Sequence, residues 1–203
     1  MAVARRATIC ALVVLPLATE AATAKNLLVE AVPKNGACFV RNYDAAHLRA
    51  HRGQTVVSIR VSLRHELADS PDDTRDLRIE LHQKNQARPF YVVGGCNWSE
   101  EVNRDVTGKR LIEAFRFDAG VQCMARGGIG GSAEEGGDFP IDIAADGSSL
   151  TLYIMDSGVG GWRGPDQKKK SSYLEFGPQD RIFRLDRANG DACAELERAV
   201  AVD

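Results

Sequence analysis

Residues 55–64 read Thr-Val-Val-Ser-Ile-Arg-Val-Ser-Leu-Arg, a regular alternation of apolar and polar side chains. Such an alternation is typical of a β-strand that has one face in a core and the other in solvent. The predicted buried face carries Val57, Ile59, Val61 and Leu63. Residues 77–82, Leu-Arg-Ile-Glu-Leu-His, repeat the pattern and predict a second strand of the same kind.

Seven further segments combine apolar alternation with β-branched or aromatic residues, and clusters of Gly, Asp, Asn and Ser separate them. They are residues 37–41, 89–93, 111–117, 139–143, 150–155, 173–176 and 181–185. About nine short strands that follow one another without helices between them predict an all-β domain. We therefore expect a single antiparallel β-barrel or β-sandwich.

Helix signals are confined to two places. Asp44 is suited to cap a short helix near residues 45–51, and Gly53 follows just beyond its end. Residues Asp191 to Val200 predict a short C-terminal helix.

The first 24 residues have the parts of a secretory signal peptide. Arg5-Arg6 precedes an uncharged, mostly apolar run over residues 7–17, and Ala22-Thr23-Ala24 offers the small side chains of a cleavage site. The apolar run is too short for a membrane-spanning helix, which needs roughly 20 residues. We therefore expect cleavage after Ala24, export to the periplasm or the extracellular space, no membrane anchor and one β-rich domain over residues 25–203.

Four cysteines remain once the predicted signal is removed. They are Cys38, Cys96, Cys123 and Cys193. An even number of cysteines in an exported chain predicts disulfides, and no Cys-x-x-Cys pair points to zinc or to redox exchange. Four cysteines allow three pairings. We favour Cys96–Cys123 together with Cys38–Cys193, because the second bridge ties the two ends of the domain together.

The composition narrows the classes of partner. The chain has 26 basic and 28 acidic residues and a net charge of −2, so charge gives no reason to expect nucleic acid. Aromatic residues make up only 6% of the chain, which leaves little material for stacking on bases or sugars. No motif calls for a cofactor, and we expect none.

Two histidines on the first predicted helix are candidate metal ligands. His47 and His51 are four residues apart, so they share one helix face. They lack the glutamate that follows the first histidine in a zincin motif, and Asp44 is explained as a helix cap. Surface histidines are the simpler interpretation. A metal-assisted hydrolase that uses both side chains is the alternative.

Two long connections, residues 126–138 and 156–172, separate predicted strands. Loops of this length in a compact domain are commonly functional or mobile. The first is mostly glycine and small polar residues, whereas the second carries Trp162 and Arg163. Tryptophan and arginine are enriched in binding hot spots, so these two residues are the predicted ligand contacts. The alternative is that Trp162 folds back and plugs one end of the barrel.

An export signal, a small β-domain and two bridges together are similar in architecture to small periplasmic inhibitors and to calycin-type binders. Architecture alone carries no site residues across. We expect a non-catalytic exported binding protein that presents loops to an unknown protein or small ligand of the cell envelope. The hydrolase and a purely structural envelope component are the alternatives.

Overall fold

A computed structural model describes residues 26–65, 74–99, 120–127, 136–155, 157–165 and 171–201. The strands are β1 (Ala37–Asn42), β2 (Val56–Arg64), β3 (Thr74–Gln83), β4 (Phe90–Ser99), β5 (Gly120–Arg126), β6 (Asp138–Ile143), β7 (Ser149–Tyr153), β8 (Gly158–Arg163), β9 (Ser172–Glu175) and β10 (Ile182–Ala188). The helices are α1 (Leu27–Ala31), α2 (Ala45–Ala50) and α3 (Ala194–Val200), with a 3-10 helix (Gly190–Cys193) leading into α3. The predicted signal peptide and the predicted strand 111–117 lie outside the described residues.

Eight antiparallel strands close into a barrel. Each strand from β1 to β7 pairs with the next, and β10 closes the ring between β7 and β1. The two other strands, β8 and β9, form a hairpin that joins the edge of β4 through Phe90 opposite Arg163 and Tyr91 opposite Trp162. The prediction of an all-β antiparallel barrel or sandwich, with a short helix near 45–51 and a C-terminal helix, is confirmed, and the fold is the barrel.

Alternate side chains from all eight barrel strands fill the interior. Each of the following is at most 1% exposed: Phe39, Ile59, Ile79, Val92, Cys123, Ile141, Leu152 and Phe183. They belong to one continuous apolar cluster, together with Leu28 of α1 and Val32 just after it. Helix α1 contacts β3, β4, β5 and β6, and it therefore covers one end of the barrel. The buried Arg75 guanidinium fixes this cover, because it donates to the Val32 carbonyl oxygen from Nε (3.1 Å) and Nη2 (2.8 Å).

The inward face of residues 55–64 is as predicted from Ile59 onwards, whereas Ser62 on the outer face is also buried, where it contacts Glu197 of α3. Ile59, Val61 and Leu63 are fully buried, as predicted. A register shift between Val56 and Ser58 marks a β-bulge, which inserts one extra residue into the strand. Val56 consequently occupies the fully buried place that the pattern assigned to Val57, which is half-buried.

Two disulfides join Cys38 to Cys193 and Cys96 to Cys123, the pairing favoured from the sequence. Cys96 and Cys123 lie directly opposite each other on β4 and β5, within the barrel core. Cys38 is on β1, and Cys193 ends the 3-10 helix before α3. The Cys96–Cys123 bridge links two neighbouring strands, and the Cys38–Cys193 bridge links the start of the C-terminal helix to the barrel.

Helix α3 forms a second, smaller core on the outer surface of the barrel. Leu196 and Val200 pack there with Tyr91 of β4, Trp162 of β8 and the Cys38–Cys193 bridge. Burial of this apolar face is what fixes so short a helix, because an isolated helix of two turns is not stable in water.

The Glu197 carboxylate adds polar contacts beneath α3. It accepts hydrogen bonds from Ser62 Oγ and from Arg64 Nη1, the latter at 3.2 Å, and it pairs with Arg78 Nη1. Three polar side chains of the sheet surface therefore converge on one carboxylate of the helix.

Strand β8 lies inside the segment 156–172 that the sequence analysis interpreted as a loop, and that interpretation was wrong for residues 158–163. Its glycines are a consequence of close packing. A Cβ atom on Gly161 would collide with the Tyr91 carbonyl oxygen and the Phe90 ring, and one on Gly158 would collide with β9. Glycine in a strand interior marks such close approaches, which composition alone does not distinguish from a flexible loop.

Candidate functional site

Trp162 is buried in β8 and does not lie at a loop tip. Its side chain is 0% exposed, and its ring centroid is 5.8 Å from that of Tyr91. Its indole Nε1 has no hydrogen-bond partner in the part of the chain that the structure describes. The expectation of an exposed binding ring therefore does not hold, because β8 adds to the edge of β4 and turns the ring under α3.

Arg163 uses its donors within the chain. Its Nη1 donates to the Arg88 carbonyl oxygen at 3.1 Å, and its Nη2 donates to Gln83 Oε1 at 2.9 Å. The guanidinium carbon lies 5.4 Å from the centroid of the Phe90 ring. Burial lowers the pKa of Arg163. These contacts link β8 to the end of β3 and to the β3–β4 connection. Arg163 and Trp162 therefore do not form one exposed surface.

His47 and His51 share a face of α2, as the spacing predicted, and their rings stack. The ring centroids are 4.1 Å apart and the planes differ by 21°. His47 Nε2–H donates to Gln54 Oε1 at 2.9 Å, and His51 Nδ1–H donates to the His47 carbonyl oxygen at 3.0 Å. Stacked rings hold their nitrogen lone pairs in nearly parallel planes, which do not meet at one metal ion.

Among the described residues, the surroundings of the two histidines supply no third ligand. The Asp44 carboxylate accepts the His47 backbone N–H at 2.7 Å and so caps α2, which also lowers the pKa of Asp44. Across the described ranges, no group of three or more His, Cys, Asp and Glu side chains could hold a metal ion.

The histidine stack continues into β1 and forms a column of rings. The Tyr43 ring stacks on His47 at a centroid distance of 4.7 Å, and the Arg41 guanidinium carbon lies 5.4 Å from the Tyr43 centroid. Burial raises the pKa of Tyr43. Cation–π and stacking contacts of this kind hold the column rigid.

This column forms one wall of a surface cleft of about 250 Å³, which we call the α2–β10 cleft. Its lining consists of Arg41, Tyr43, His47, His51, Gln54, Gln179, Ile182 and Arg184. Residues from β1, α2 and β10 meet here because β10 closes the barrel beside β1 and α2 follows β1 directly.

The opposite wall comes from the outward face of β10. Phe183 and Leu185 point into the core, so the alternation of the strand sends Ile182 and Arg184 to the outside. Ile182 is 46% exposed, which is unusual for a large apolar residue on a solvent face. Arg184 is exposed and has no hydrogen-bond or ion-pair partner within the described ranges.

The charge of the cleft is one-sided. The described residues of its lining include two arginines but neither aspartate nor glutamate. The nearest acid to Arg41 in the described chain is Asp186, at 3.5 Å, and both side chains of this pair are well exposed. An exposed ion pair of this kind contributes little, so Arg41 can exchange Asp186 for another anion.

A second surface cleft, of about 200 Å³, lies beside the Cys38–Cys193 bridge. Its charged lining includes Arg64 and Glu197, which pair with each other across α3. The internal pairing leaves less capacity there for a ligand than in the α2–β10 cleft.

Sequence reasoning identified His47 and His51 of the α2–β10 cleft but not Arg41, Ile182 or Arg184. Arg41 and Arg184 are far apart in the chain and meet only through closure of the barrel. One signal was present. Ile182 breaks the alternation of β10 by placing a large apolar residue on the polar face.

None of the described helices is long and apolar enough to cross a membrane. The comparisons with family models, with curated proteins and with solved structures found no match to this chain.

Proposed function

We propose that this chain is an exported, non-catalytic binding protein and that the α2–β10 cleft is its binding site. The observation that carries the proposal is that Arg184, exposed and without a partner among the described residues, lies with the exposed Ile182 in one concave surface. Arginine beside apolar area is the usual composition of a binding hot spot.

Binding on the outer surface follows from the way the barrel is filled. Side chains from all eight strands occupy the interior, and α1 covers one end. A ligand inside would have to displace close-packed side chains, at a cost of several kcal/mol. The interior therefore serves as a rigid support for the surface.

The cleft is better suited to holding a ligand than to reacting with it. The described residues of its lining include no serine, threonine or cysteine nucleophile, and its tyrosine and two histidines are stacked on one another in one column. One nitrogen of each histidine is engaged, in the bonds to Gln54 and to the His47 carbonyl oxygen. These bonds fix the rings in place.

Export is supported by the two disulfides and by the N-terminal sequence. Disulfides persist in oxidising compartments and are rare in the cytosol. The pattern of residues 1–24 predicts a mature chain that begins at Lys25. N-terminal sequencing of the protein from culture medium or periplasm checks this, and a first residue before Cys10 contradicts it.

Retention of a partner from the exported fraction of the source cells tests the binding function. We expect the immobilised native protein to retain a partner that Arg41→Gln/Arg184→Gln does not retain. Arg126→Gln/Arg198→Gln is the matched control, because both arginines are exposed and lie outside the cleft lining. The two substitutions remove the same amount of positive charge as the cleft variant. Equal retention by the native protein and both variants contradicts the assigned site. Retention by none of them favours a purely structural component.

The metal-assisted hydrolase is the weaker candidate, because the stacked His47 and His51 rings lack a third ligand in the described chain. Zinc content of the purified protein discriminates: one equivalent of zinc, lost on replacement of both histidines, would favour the hydrolase.

A further inference from the structure

We infer that the ligand of the α2–β10 cleft presents a carboxylate attached to an apolar group. This inference deepens the proposed function and rests on it for the biological role. It names the chemistry of the ligand, whose source is either a free organic acid or an acidic or C-terminal carboxylate of a protein partner.

The cationic lining selects for an anion. Arg41 and Arg184 approach the cleft from neighbouring strands, and none of the described lining residues carries a carboxylate. A guanidinium presents a planar fork of N–H donors that matches the two oxygens of a carboxylate. Asp186 already shows that Arg41 accepts such a partner, although at 3.5 Å the contact is long.

The apolar part of the lining favours an anion that carries an apolar substituent. Ile182 is 46% exposed beside the two guanidiniums, and the Tyr43, His47 and His51 rings form the facing wall. Covering Ile182 with an apolar substituent removes that surface from water, at roughly 25 cal/mol per Å². An inorganic anion, hydrated on every side, gains nothing from this contact.

The size of the cleft limits the ligand to one functional group and its substituent. Its volume of about 250 Å³ is below that of most pockets that enclose a whole drug-sized molecule. A carboxylate with one ring or one branched chain is of a suitable size, which is why both a small acid and a protruding acidic segment qualify.

Titration of the ¹⁵N-labelled, disulfide-bonded protein with benzoate tests the inference by NMR. We expect saturable shifts of the Arg184 side-chain N–H signal and of backbone amides in α2 and β10. Neutral benzamide and inorganic phosphate should bind at least about tenfold more weakly, because each lacks one of the two required features. N-acetylphenylalanine and a neutral-ended peptide containing glutamate, in separate titrations, show which source of carboxylate fits better.

The same variants provide the controls. Arg184→Gln should weaken benzoate binding at least about tenfold with an unchanged thermal midpoint, since Arg184 is exposed and unpaired within the described chain. Arg126→Gln/Arg198→Gln should leave binding unchanged. Failure of all three carboxylates to bind, equal binding of benzamide or phosphate, or indifference to Arg184→Gln overturns the inference.

The outcomes also separate this inference from the proposed function. If the cleft variant loses the cellular partner and no carboxylate binds, the binding function stands and the carboxylate inference falls. If carboxylates bind and the cellular partner is retained by the cleft variant, the chemistry stands and the assigned function of the cleft falls.

Discussion

Asp180 is a fully buried carboxylate that ties the β9–β10 connection to the start of β2. It accepts the Thr55 backbone N–H at 2.7 Å, the Thr55 hydroxyl at 2.7 Å and the Val56 backbone N–H at 3.2 Å. Its neighbour Gln179 lines the cleft. One buried side chain therefore helps to position the candidate site.

Asp180→Ala should lower the free energy of unfolding by about 2–3 kcal/mol, because it leaves buried backbone donors without an acceptor. Urea unfolding measures this loss. Asp180→Asn, which keeps one acceptor oxygen, should lose less. A loss below about 0.5 kcal/mol for the alanine variant contradicts the role assigned to Asp180.

The ionised carboxylate of Asp142, unlike that of Asp180, destabilises the folded state. It lies half-buried on β6 with no hydrogen-bond donor among the described residues, and burial raises its pKa. The folded state then binds the Asp142 proton more tightly than the unfolded state does. Its contribution to stability is present at low pH and is lost as the pH rises through the raised pKa.

Asp142→Asn should consequently raise the thermal midpoint at pH 7, and the gain should disappear as the pH falls below about 4, where the native carboxyl is protonated. Asp146→Asn is the control of opposite sign, because bonds from Ser148 lower the pKa of Asp146. A native protein that is more stable than Asp142→Asn at pH 7 would contradict this account.

Strand β8 and helix α3 depend on each other through Trp162. The indole fills the space between the outer face of β4 and the apolar face of α3. Trp162→Ala should lower the free energy of unfolding by about 3–5 kcal/mol, as truncation of a buried tryptophan does. Chemical denaturation measures it, with Trp162→Phe as the smaller change. If Trp162→Ala kept its stability but no longer bound a ligand, Trp162 would be a ligand contact rather than part of the packing under α3.

The Cys38–Cys193 bridge holds α3 from its N-terminal side and closes a loop of 155 residues. Its removal as Cys38→Ser/Cys193→Ser should cost about 2–4 kcal/mol and should raise amide exchange in α3 more than in the barrel. Cys96→Ser/Cys123→Ser is the comparison, since that bridge closes a separation of only 27 residues. Unchanged exchange in α3 would show that Leu196 and Val200 hold the helix alone.

The elements that sequence analysis predicted are those whose own residues carry the signal. Residues 56–64 and 77–82 lie in β2 and β3, and their apolar side chains alternate because each strand has one face in the barrel core. The strand β8 was missed because its glycines are required by close contacts with β4 and β9, and these contacts exist only in the folded chain. The bulge that buries Val56 has the same origin, since it belongs to the pairing of two strands.

The molecule as a whole is a packed barrel whose closure creates the cleft. The sequence predicted an antiparallel barrel or sandwich and favoured the cysteine pairing that the structure has, but it did not decide that the sheet closes. It singled out only some of the residues that line the candidate binding site. His47 and His51 are near one another in sequence, whereas Arg41 and Arg184 are brought together by the pairing of the first barrel strand with the last.

The cleft between α2 and β10 is the proposed site of ligand binding. Hydrogen–deuterium exchange of the intact protein, with and without the partner retained from the exported fraction, tests it most directly. We predict that the partner slows amide exchange in residues 45–54 and 177–186 and leaves exchange in β8 unchanged. Protection confined to β8 and β9, with unchanged exchange in α2 and β10, would contradict the account.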